Sequence, residues 1–465
     1  MADAMTGMLT TENLLEGDYD TVIVAAPDMS GRLIGKRMTP SKFMEFKDRG
    51  VAVSACVFGW DLPQEIGLDV SYVGFHNGWP DFLLIPDLSS LRRAAWLERT
   101  AIVMADIVEE HDHSPVAITP RQILKRKIEQ FGDKGMRAQV ATELEFHLYR
   151  ESYDQLRQQG YDTRTPSTLI HSDYTVAQVN QWEPFFQRVR TCLDESGLDV
   201  EMSQGEWGLG QWEINLTYGD ALDMADRHAI FKLALKDLAH QAGLSVTFMP
   251  KPNTGEVGSS CHVHVSLVDD DAASSMSSSS MSPEFPLWSE DAPHHNSDAL
   301  LHSIGGILAR AGDLMAWYAP TVNSYRRTNS SEFAGHGATW GMDNRTVSCR
   351  VLGDSPSSKR IEWRVPGSDV NPYLVIAGVL ASIRDGLDSE IDPGSQSTGD
   401  AYQEQTAPLP RNLGAAGEIF KTSPFIHAQF GQEVVDQYAA AALWEWSCFE
   451  NVVTEWEHQR YYENI

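Results

Sequence analysis

Residues 137–149 read RAQVATELEFHLY, and this stretch decides the fold because polar and apolar side chains alternate along it. Such alternation is typical of a β-strand with one buried face, since successive side chains of a strand point to opposite sides. Glu143, Glu145 and His147 should therefore project together from one face, with the two carboxylates roughly 6–7 Å apart. The apolar face consists of Ala138, Val140, Leu144, Phe146 and Leu148.

The same alternation predicts three more strands, and a further strand is bracketed by Arg345 and Arg350. Polar faces usually mark the solvated side of an antiparallel sheet. Here, however, they combine carboxylates, imidazoles and guanidinium groups, which is the inventory of a site that holds cations and anions together. The three segments are Gln211–Tyr218, Cys261–Leu267 and Arg360–Val365, with the polar residues Gln211, Glu213, Asn215, His262, His264, Ser266, Arg360, Glu362 and Arg364, and with Glu206 in a glycine-punctuated bend upstream.

These residue types indicate a metal–polyphosphate site. Carboxylates with few imidazoles suit Mg²⁺ or Mn²⁺, whereas zinc normally takes more His or Cys ligands. Arginines around such ions are typical of phosphoryl transfer, in which negative charge spreads over the phosphoryl oxygens. A two-metal amidohydrolase is an alternative suggested by His262 and His264, but such enzymes usually use more His.

Composition excludes several classes of protein. The chain has 465 residues and a formal net charge of −29, which disfavours binding to nucleic acid. It contains no run of about 18 apolar residues and no secretion-type N-terminus, so neither membrane association nor export is expected. The five cysteines are scattered and form no CxxC motif, which favours reduced thiols in the cytoplasm.

The order of local signals predicts two domains, residues 1–112 and 113–465. A hairpin is expected from Thr21–Ala26 and Arg32–Met38, around a turn at Gly31. Helices are expected at about 120–131 after Thr119-Pro120, and at 175–196, 220–242 and 372–386. The serine-rich stretch from 269 to about 298 should be a mobile surface loop of no catalytic consequence.

Five sequence blocks resemble the motifs of the glutamine synthetase family over nearly the whole chain. They are Thr142–Phe146 (TELEF), Glu206–Glu213 (EWGLGQWE), Gly258–His264 (GSSCHVH), Asn323–Arg327 (NSYRR), and Asp343–Arg345 (DNR) with Arg360–Pro366 (RIEWRVP). The resemblance implies an α+β fold, with a small N-terminal β-grasp domain and a large catalytic domain built on a curved antiparallel sheet with surrounding helices. It also implies a homo-oligomer, a dodecamer of two hexameric rings, with active sites between neighbouring subunits.

The resemblance assigns roles to individual residues. It implies two or more Mg²⁺ or Mn²⁺ ions per site, with ATP and glutamate as substrates. Arg345 is expected at the transferred phosphoryl group. The implied ligands are Glu145, Glu206 and Glu213 for a first metal, Glu143, His262 and Glu362 for a second, His264, Ser266, Arg350 and Arg360 for ATP, and Arg327 and Arg364 for the glutamate carboxylates.

The implied chemistry is a two-step ligation through γ-glutamyl phosphate, but the ammonium site departs from the family pattern. Counting from Arg327, the flap glutamate that helps to bind and deprotonate ammonium is replaced by Phe333, although Glu332 is adjacent. Phe58–Pro63 replaces the usual Asp-Gly-Ser-Ser and retains one acid, Asp61. Val257 stands where ammonia-using members have Asn. These departures resemble the γ-glutamyl amine ligase branch, which includes γ-glutamylpolyamine and glutamylamide synthetases.

The expected amine pocket combines Asp61, Trp60 and Phe333, together with Phe75 and Trp79. These aromatic side chains favour a small apolar or aryl amine over a long polyamine, which would require several acids. Ordinary core or interface aromatics would give the same pattern. Ethanolamine and methylamine also remain open as substrates. The alternatives are a glutamine synthetase that uses ammonium and, least favoured because all six candidate metal ligands are present, a non-catalytic descendant of the family.

Overall fold

The computed structural model describes residues 7–269, 285–330, 333–335 and 337–465 of the chain. The strands are β1 (Thr21–Pro27), β2 (Leu33–Met38), β3 (Val51–Ser54), β4 (Asp81–Pro86), β5 (Arg92–Arg93), β6 (Thr100–Glu109), β7 (Met136–Tyr149), β8 (Val200–Gly205), β9 (Gln211–Leu216), β10 (Gly219–Asp220), β11 (Ser245–Thr247), β12 (Cys261–Asp269), β13 (Trp340–Met342), β14 (Cys349–Leu352) and β15 (Arg360–Trp363).

The α-helices are α1 (Thr11–Glu16), α2 (Pro40–Phe46), α3 (Pro120–Gly132), α4 (Tyr153–Gln158), α5 (Val176–Val179), α6 (Glu183–Asp194), α7 (Ala221–Gln241), α8 (Asp298–Arg310), α9 (Met315–Tyr318), α10 (Val322–Ser330), α11 (Pro372–Ser389), α12 (Leu413–Thr422), α13 (Pro424–Phe430), α14 (Gln432–Glu450) and α15 (Glu455–Tyr461). Short 3₁₀ turns lie at Ala55–Phe58, Leu88–Ser90, Pro293–His295, Pro356–Ser358 and Ala401–Gln403. Within the described residues, no helix combines the length and apolarity needed to cross a bilayer.

Backbone hydrogen bonds join the strands into two sheets. The smaller sheet has the order β2-β1-β6-β4-β3, with β5 beside β6. The larger sheet has the order β13-β14-β15-β12-β7-β9-β8, and β10 and β11 also pair with β7. Neighbours in the larger sheet run antiparallel except β13 and β14. The predicted α+β class with an antiparallel catalytic sheet is confirmed.

Strands β1 and β6 link the two sheets because both of their faces are buried. In β1, Val22 and Val24 pack into the core of the smaller sheet, whereas Ile23 and Ala25 pack into the core of the larger one. Full burial of a branched apolar side chain stabilises a fold by about 1.5–3 kcal/mol. The smaller sheet is therefore fixed against the larger one, and the domain boundary after residue 112 stays a prediction.

Most of the predicted elements are present. The hairpin forms as β1 and β2, and α3 begins at Pro120 after an N-cap at Thr119. The prediction of one continuous helix over 175–196 is wrong, because the chain forms α5 and α6 separated by residues 180–182. Pro184 explains this break: in a continuous helix it would have no amide hydrogen for the carbonyl of Asn180 and its ring would clash with that carbonyl, so it lies in the first turn of α6.

The serine-rich stretch falls largely outside the described residues, which resume at 285. Residues 285–297, at its C-terminal end, are packed against the catalytic sheet. Ser297 caps α8 through the Leu300 amide at 3.0 Å, and the Lys359 ammonium lies 5.7 Å from the Trp288 ring. Residues 285–297 are therefore packed as part of the fold. The expectation of a mobile loop is wrong for this end of the stretch.

A buried ion-pair network fixes the position of the smaller sheet. The Arg121 guanidinium of α3 contacts Asp226 of α7 at 2.9 Å, Asp106 of β6 at 2.6 Å and Asp87 at 2.6 Å. The Tyr373 hydroxyl of α11 donates to Asp226 at 2.6 Å. One guanidinium therefore connects the smaller sheet to the helices that support the catalytic sheet.

We expect Arg121→Ala to destabilise the protein strongly, because Asp226 would remain buried without its cation. Removal of one partner from a buried pair typically costs about 3–5 kcal/mol. The free energy of unfolding from urea titration measures this cost. Arg157→Ala is the matched control, since its pair with Asp154 is exposed and such pairs contribute about 0–1 kcal/mol. Equal losses in the two variants would contradict the assigned role of Arg121.

Candidate functional site

The acidic side chains lie on one face of the larger sheet because of its pairing register. Glu143 of β7 is directly opposite His262 of β12, and Glu145 is opposite Glu213 of β9. Directly paired residues of neighbouring strands point to the same side of a sheet. Glu362 of β15 is in turn opposite His264, and its other neighbour is Arg350. The predicted convergence of these strands is confirmed for the polar residues that pair in this way.

One half of this face neutralises its own charge. Glu143 forms hydrogen bonds with His262 Nδ1 and His264 Nε2, both at 2.9 Å. Burial alone would raise the pKa of Glu143, but these two imidazoles hold the pKa of its carboxyl well below the ordinary range. Glu362 is buried between Arg350, at 3.0 Å, and Arg364. Burial opposes ionisation of Glu362, yet Arg364 and the imidazoles keep its pKa low.

One set of possible ligand atoms in this half belongs to Glu143, His264 and Glu362, and these atoms all lie within 4.8 Å of one another. His262, which the family resemblance implies as the ligand, lies 3.5 Å from Glu362 through Nδ1. Its Nε2 is buried without a hydrogen-bond partner among the described residues. A polar atom buried without a partner is unfavourable, so this nitrogen remains available to an ion or a ligand.

The other half of the face concentrates negative charge. Gln204 Nε2 donates to both Glu206, at 3.0 Å, and Glu213, at 3.2 Å. Asn215 donates to the same oxygen of Glu213 at 3.0 Å. Burial and the neighbouring carboxylate of Glu145 raise the pKa of Glu206 to about 8. Burial and the adjacent acids also raise the pKa of Glu213 well above its usual range.

This half therefore fits a hard divalent cation. The carboxylates of Glu145, Glu206 and Glu213 repel one another, and a cation between them would relieve that repulsion. Oxygen donors are the ligands that Mg²⁺ and Mn²⁺ prefer. The first metal site implied by the sequence is thus chemically consistent with the geometry. The assignment of individual ligands remains a prediction.

Two glutamines position these acids, and the sequence interpretation gave them no role. Gln211 Nε2 donates to Glu145 Oε2 at 2.8 Å, and the Ser260 amide donates to the same oxygen at 2.9 Å. The Gln211 carbonyl oxygen accepts the Gly208 amide at 2.9 Å. Gln204, in the same way, bridges Glu206 and Glu213. The available signal was the spacing of Gln204 and Gln211, each of which precedes an acid of the site by two residues.

The expected nucleotide residues surround the charge-neutralised half. Arg360 Nε donates to His264 Nδ1 at 3.2 Å, and Arg350 also contacts Asp343 at 2.5 Å. Ser266 lies on the same strand as His262 and His264 and is directly opposite Gln139. The structure therefore brings His264, Arg350 and Arg360 together with Glu362 at one end of the sheet face.

The three arginines expected at glutamate and phosphate differ in their surroundings. Arg327 is 1% exposed and donates to the carbonyls of Val365, at 2.7 Å, and Arg364, at 3.0 Å, and to Ser260 Oγ at 2.8 Å. Burial lowers the pKa of Arg327 to about 10. This contact set places Arg327 beneath Arg364, where it supports the strand that carries Arg364.

Arg345 is exposed in the turn before β14. Its charge acts on Asp173 and Tyr174, two residues of a loop to which the sequence analysis gave no role. Burial raises the pKa of Asp173, and the Arg345 charge opposes that rise. Burial and the Glu206 carboxylate raise the pKa of Tyr174, and the Arg345 charge again opposes that rise. Arg345 therefore lies next to this loop, at the edge of the acidic half of the site.

The expected amine residues do not come together within one chain. Phe333 is exposed, its amide donates to the Tyr402 hydroxyl at 2.5 Å, and its carbonyl accepts from Arg364 at 3.4 Å. Trp60 and Asp61 instead line a separate cavity of about 480 Å³. In that cavity Asp61 accepts from Trp444 Nε1 at 3.2 Å.

The other residues of the expected amine pocket do not connect Phe333 with Trp60 and Asp61. Phe75 and Trp79 stack edge to face with their centroids 5.6 Å apart, and Phe75 is largely exposed. Glu332 lies outside the described residues. Val257 packs against Gly208, since a Cβ atom added to Gly208 would lie 2.9 Å from the Val257 side chain. A pocket that joins Phe333 to Trp60 and Asp61 stays a prediction that requires a second subunit.

Comparison with known proteins agrees with this geometry. A family model described as "Glutamine synthetase, catalytic domain" matches residues 117–461. A γ-glutamylethanolamide synthetase of Streptomyces coelicolor is 37% identical over 97% of this chain and 94% of its own length. A glutamate–isopropylamine ligase of a Pseudomonas species is 33% identical over 96% of both chains.

A solved structure titled "Apo GmaS without ligand" superposes with a TM-score of 0.83 and 26% identity. It covers 97% of this chain, and the match spans 99% of the solved one. The match therefore extends through both sheets and beyond the catalytic region.

We expect Mn²⁺ or Mg²⁺ to raise the melting temperature of the protein, because a ligand that binds only the folded state stabilises it. Glu213→Gln should remove most of this increase, since one carboxylate is lost. In the absence of metal the same variant should melt at or above the wild-type temperature, because the repulsion between acids is reduced. Differential scanning fluorimetry with and without chelator measures both effects.

Glu201→Gln is the matched control, because Glu201 lies on the neighbouring strand β8 with an exposed side chain. It should keep the full metal-dependent increase. An equal metal response in wild type and Glu213→Gln would show that the acidic half of the face does not hold the cation.

Proposed function

This chain belongs to the glutamine synthetase family, and from that premise we propose that it joins the γ-carboxylate of glutamate to an organic amine, with conversion of ATP to ADP and phosphate. The observation that carries the proposal is the single sheet face that combines carboxylates, imidazoles and arginines. Relatives matched over most of their length include ligases for ethanolamine and isopropylamine, and a γ-glutamylputrescine synthetase of Escherichia coli at 29% identity. The amine-ligase branch was the one predicted from the sequence.

The family uses ATP and divalent metal ions. Bound metal ions would neutralise the phosphate oxygens and the incoming carboxylate. The acids Glu145, Glu206 and Glu213 would hold one ion, and Glu143 and Glu362 with His262 or His264 would hold a second. We propose Mg²⁺ or Mn²⁺ for both, since oxygen ligands dominate.

In the first step the γ-carboxylate oxygen of glutamate attacks the γ-phosphorus of ATP, and ADP leaves. The carboxylate becomes an acyl phosphate, which makes phosphate available as a leaving group. Arg350 and Arg360, next to His264, would hold the triphosphate. Arg345 is exposed at the edge of the acidic face, where its charge can stabilise the transferred phosphoryl group.

In the second step the amine nitrogen attacks the γ-carbonyl carbon, phosphate leaves, and the amine loses a proton. Arg364 would hold a carboxylate of glutamate, because its guanidinium lies on the site face and its strand rests on buried Arg327. Removal of water from these charges strengthens each of these interactions. The base is not assigned, since Phe333 stands where a glutamate would accept the proton.

Three further properties are proposed from the family resemblance. We infer a ring-shaped homo-oligomer, with a dodecamer of two hexameric rings as the specific expectation. In such a ring, Trp60 and Asp61 of one subunit would complete the site of its neighbour next to Phe333. Size-exclusion chromatography with light scattering tests the ring. A cytoplasmic location is also proposed, in keeping with five free cysteines.

A panel of amines tests the function. Wild-type protein with ATP, glutamate and Mg²⁺ should release phosphate when a primary amine is added, and mass spectrometry should detect the γ-glutamylamide in equal amount. Ammonium at the same concentration should support less turnover. Turnover with ammonium above that with every organic amine would identify a glutamine synthetase instead.

Arg345→Ala should lower turnover by about 10²–10³-fold, because one preorganised electrostatic group at a developing charge is lost. The fold should be retained, since Arg345 is exposed. The kcat for phosphate release measures the loss, and the melting temperature verifies folding. Arg49→Ala, an exposed arginine near the smaller sheet, is the control and should keep its activity. Near-normal turnover of Arg345→Ala would remove this residue from the chemistry.

A further inference from the structure

Exposed apolar side chains collect beside the acidic half of the site, where charged groups would be expected to exclude them. They lie in the loop at 169–176 and in the adjoining strand β8 and bend. Large apolar side chains exposed together usually mark a binding surface. The set is Leu169, Ile170, Tyr174, Val176, Met202 and Trp207.

Trp207 is the residue next to Glu206 and is 56% exposed. Its indole packs against the His171 ring, with centroids 5.3 Å apart and an interplanar angle of 33°. His171 Nδ1 also hydrogen-bonds with the Trp207 carbonyl at 2.6 Å. The two rings are therefore held as one unit although both are exposed, and this unit adjoins an expected metal ligand.

The rest of the loop is fixed to the same strand end. The Tyr174 amide donates to the Gly205 carbonyl at 3.3 Å, one residue before Glu206. The charges of Glu206 and Arg345 both act on Tyr174. The loop that carries His171 is thus attached to the strand end that precedes Glu206, and Tyr174 of this loop lies within reach of the charges of both Glu206 and Arg345.

Met202 extends this apolar surface onto the sheet. It is directly opposite Asn215, which is itself opposite Glu143. Paired residues share a face, so Met202 points to the same side as the acids. An apolar edge therefore borders the polar face on the β8 side.

We propose that the Trp207–His171 pair forms the wall of the amine subsite and selects primary amines with a short apolar substituent. This inference rests on the proposed ligase function. It differs from the pocket expected from the sequence, because Trp207 and His171 lie beside the acids of their own chain, whereas Trp60 and Asp61 do not.

The charged nitrogen and the apolar substituent of such an amine both find a favourable contact beside Trp207. A primary alkylamine resembles the lysine side chain and arrives as a cation at neutral pH, because its pKa is near ~10. The cation is attracted by the face of an indole. The alkyl substituent loses contact with water against Trp207. Ammonium has no substituent and gains nothing from that contact, so the pair discriminates between the two nucleophiles.

Kinetics of Trp207→Ala with isopropylamine, ethanolamine and ammonium test the proposal. Loss of the apolar contact should lower kcat/KM for isopropylamine about tenfold, since about 1.4 kcal/mol of buried contact corresponds to a factor of ten. Ethanolamine should lose less, and kcat/KM for ammonium and the KM for glutamate should change less than twofold. Trp207→Phe should recover most of the preference for isopropylamine over ammonium.

Trp456→Ala is the matched control, because Trp456 is 59% exposed on α15 and packs edge to face against Tyr461. It should leave the isopropylamine-to-ammonium ratio unchanged. An unchanged ratio in Trp207→Ala would overturn the proposal while leaving the ligase function intact.

If wild-type protein turns over no amine, the ligase proposal fails. Calorimetric titration of isopropylamine into wild type and Trp207→Ala, with ATP, glutamate and Mg²⁺ present, then tests the subsite by itself. Equal or absent binding in both proteins would overturn it.

Discussion

The antiparallel register of β7 with its neighbours β9 and β12 is the constraint on which the rest of the structure depends. It places Glu145 opposite Glu213 and Glu143 opposite His262, while the other face of β7 packs into the large core. A slip of one residue would turn every acid into the core and every apolar side chain outward. Folding of the core and assembly of the site are therefore one event, because the buried face that stabilises the sheet also fixes the orientation of the acids.

The two halves of the site face differ in how they manage charge, and this difference gives the site its function. Glu143 and Glu362 are ionised between imidazoles and arginines, so they are stable without a ligand. Glu206 and Glu213 resist ionisation because each is buried near other acids. Cations would stabilise the second half most, and phosphate groups would compete for the arginines of the first. A nucleotide carried with divalent ions satisfies both halves at once.

Much of this arrangement could be predicted from the sequence, because alternation over 137–149 reports both the strand and its polar face. Residue spacing also located the arginines of β14 and β15. Spacing could not show that Arg327 is buried beneath Arg364, nor that Glu143 binds both imidazoles at once, because both depend on side-chain packing. The two- and three-residue strands β10 and β13 are too short to produce a periodic signal. The contact of Trp207 with His171 joins residues 36 positions apart, and no local pattern reports it.

Transfer of oxygen from glutamate to phosphate tests the central claim most directly. The claim is that this sheet face activates the γ-carboxylate as an acyl phosphate before the amine attacks. Glutamate labelled with ¹⁸O in its γ-carboxylate, incubated with the protein, ATP, Mg²⁺ and isopropylamine, should give one labelled oxygen in each phosphate released. Mass spectrometry of the phosphate measures this transfer. Unlabelled phosphate formed together with γ-glutamylamide would contradict the account, because the carboxylate would then not have attacked the γ-phosphorus.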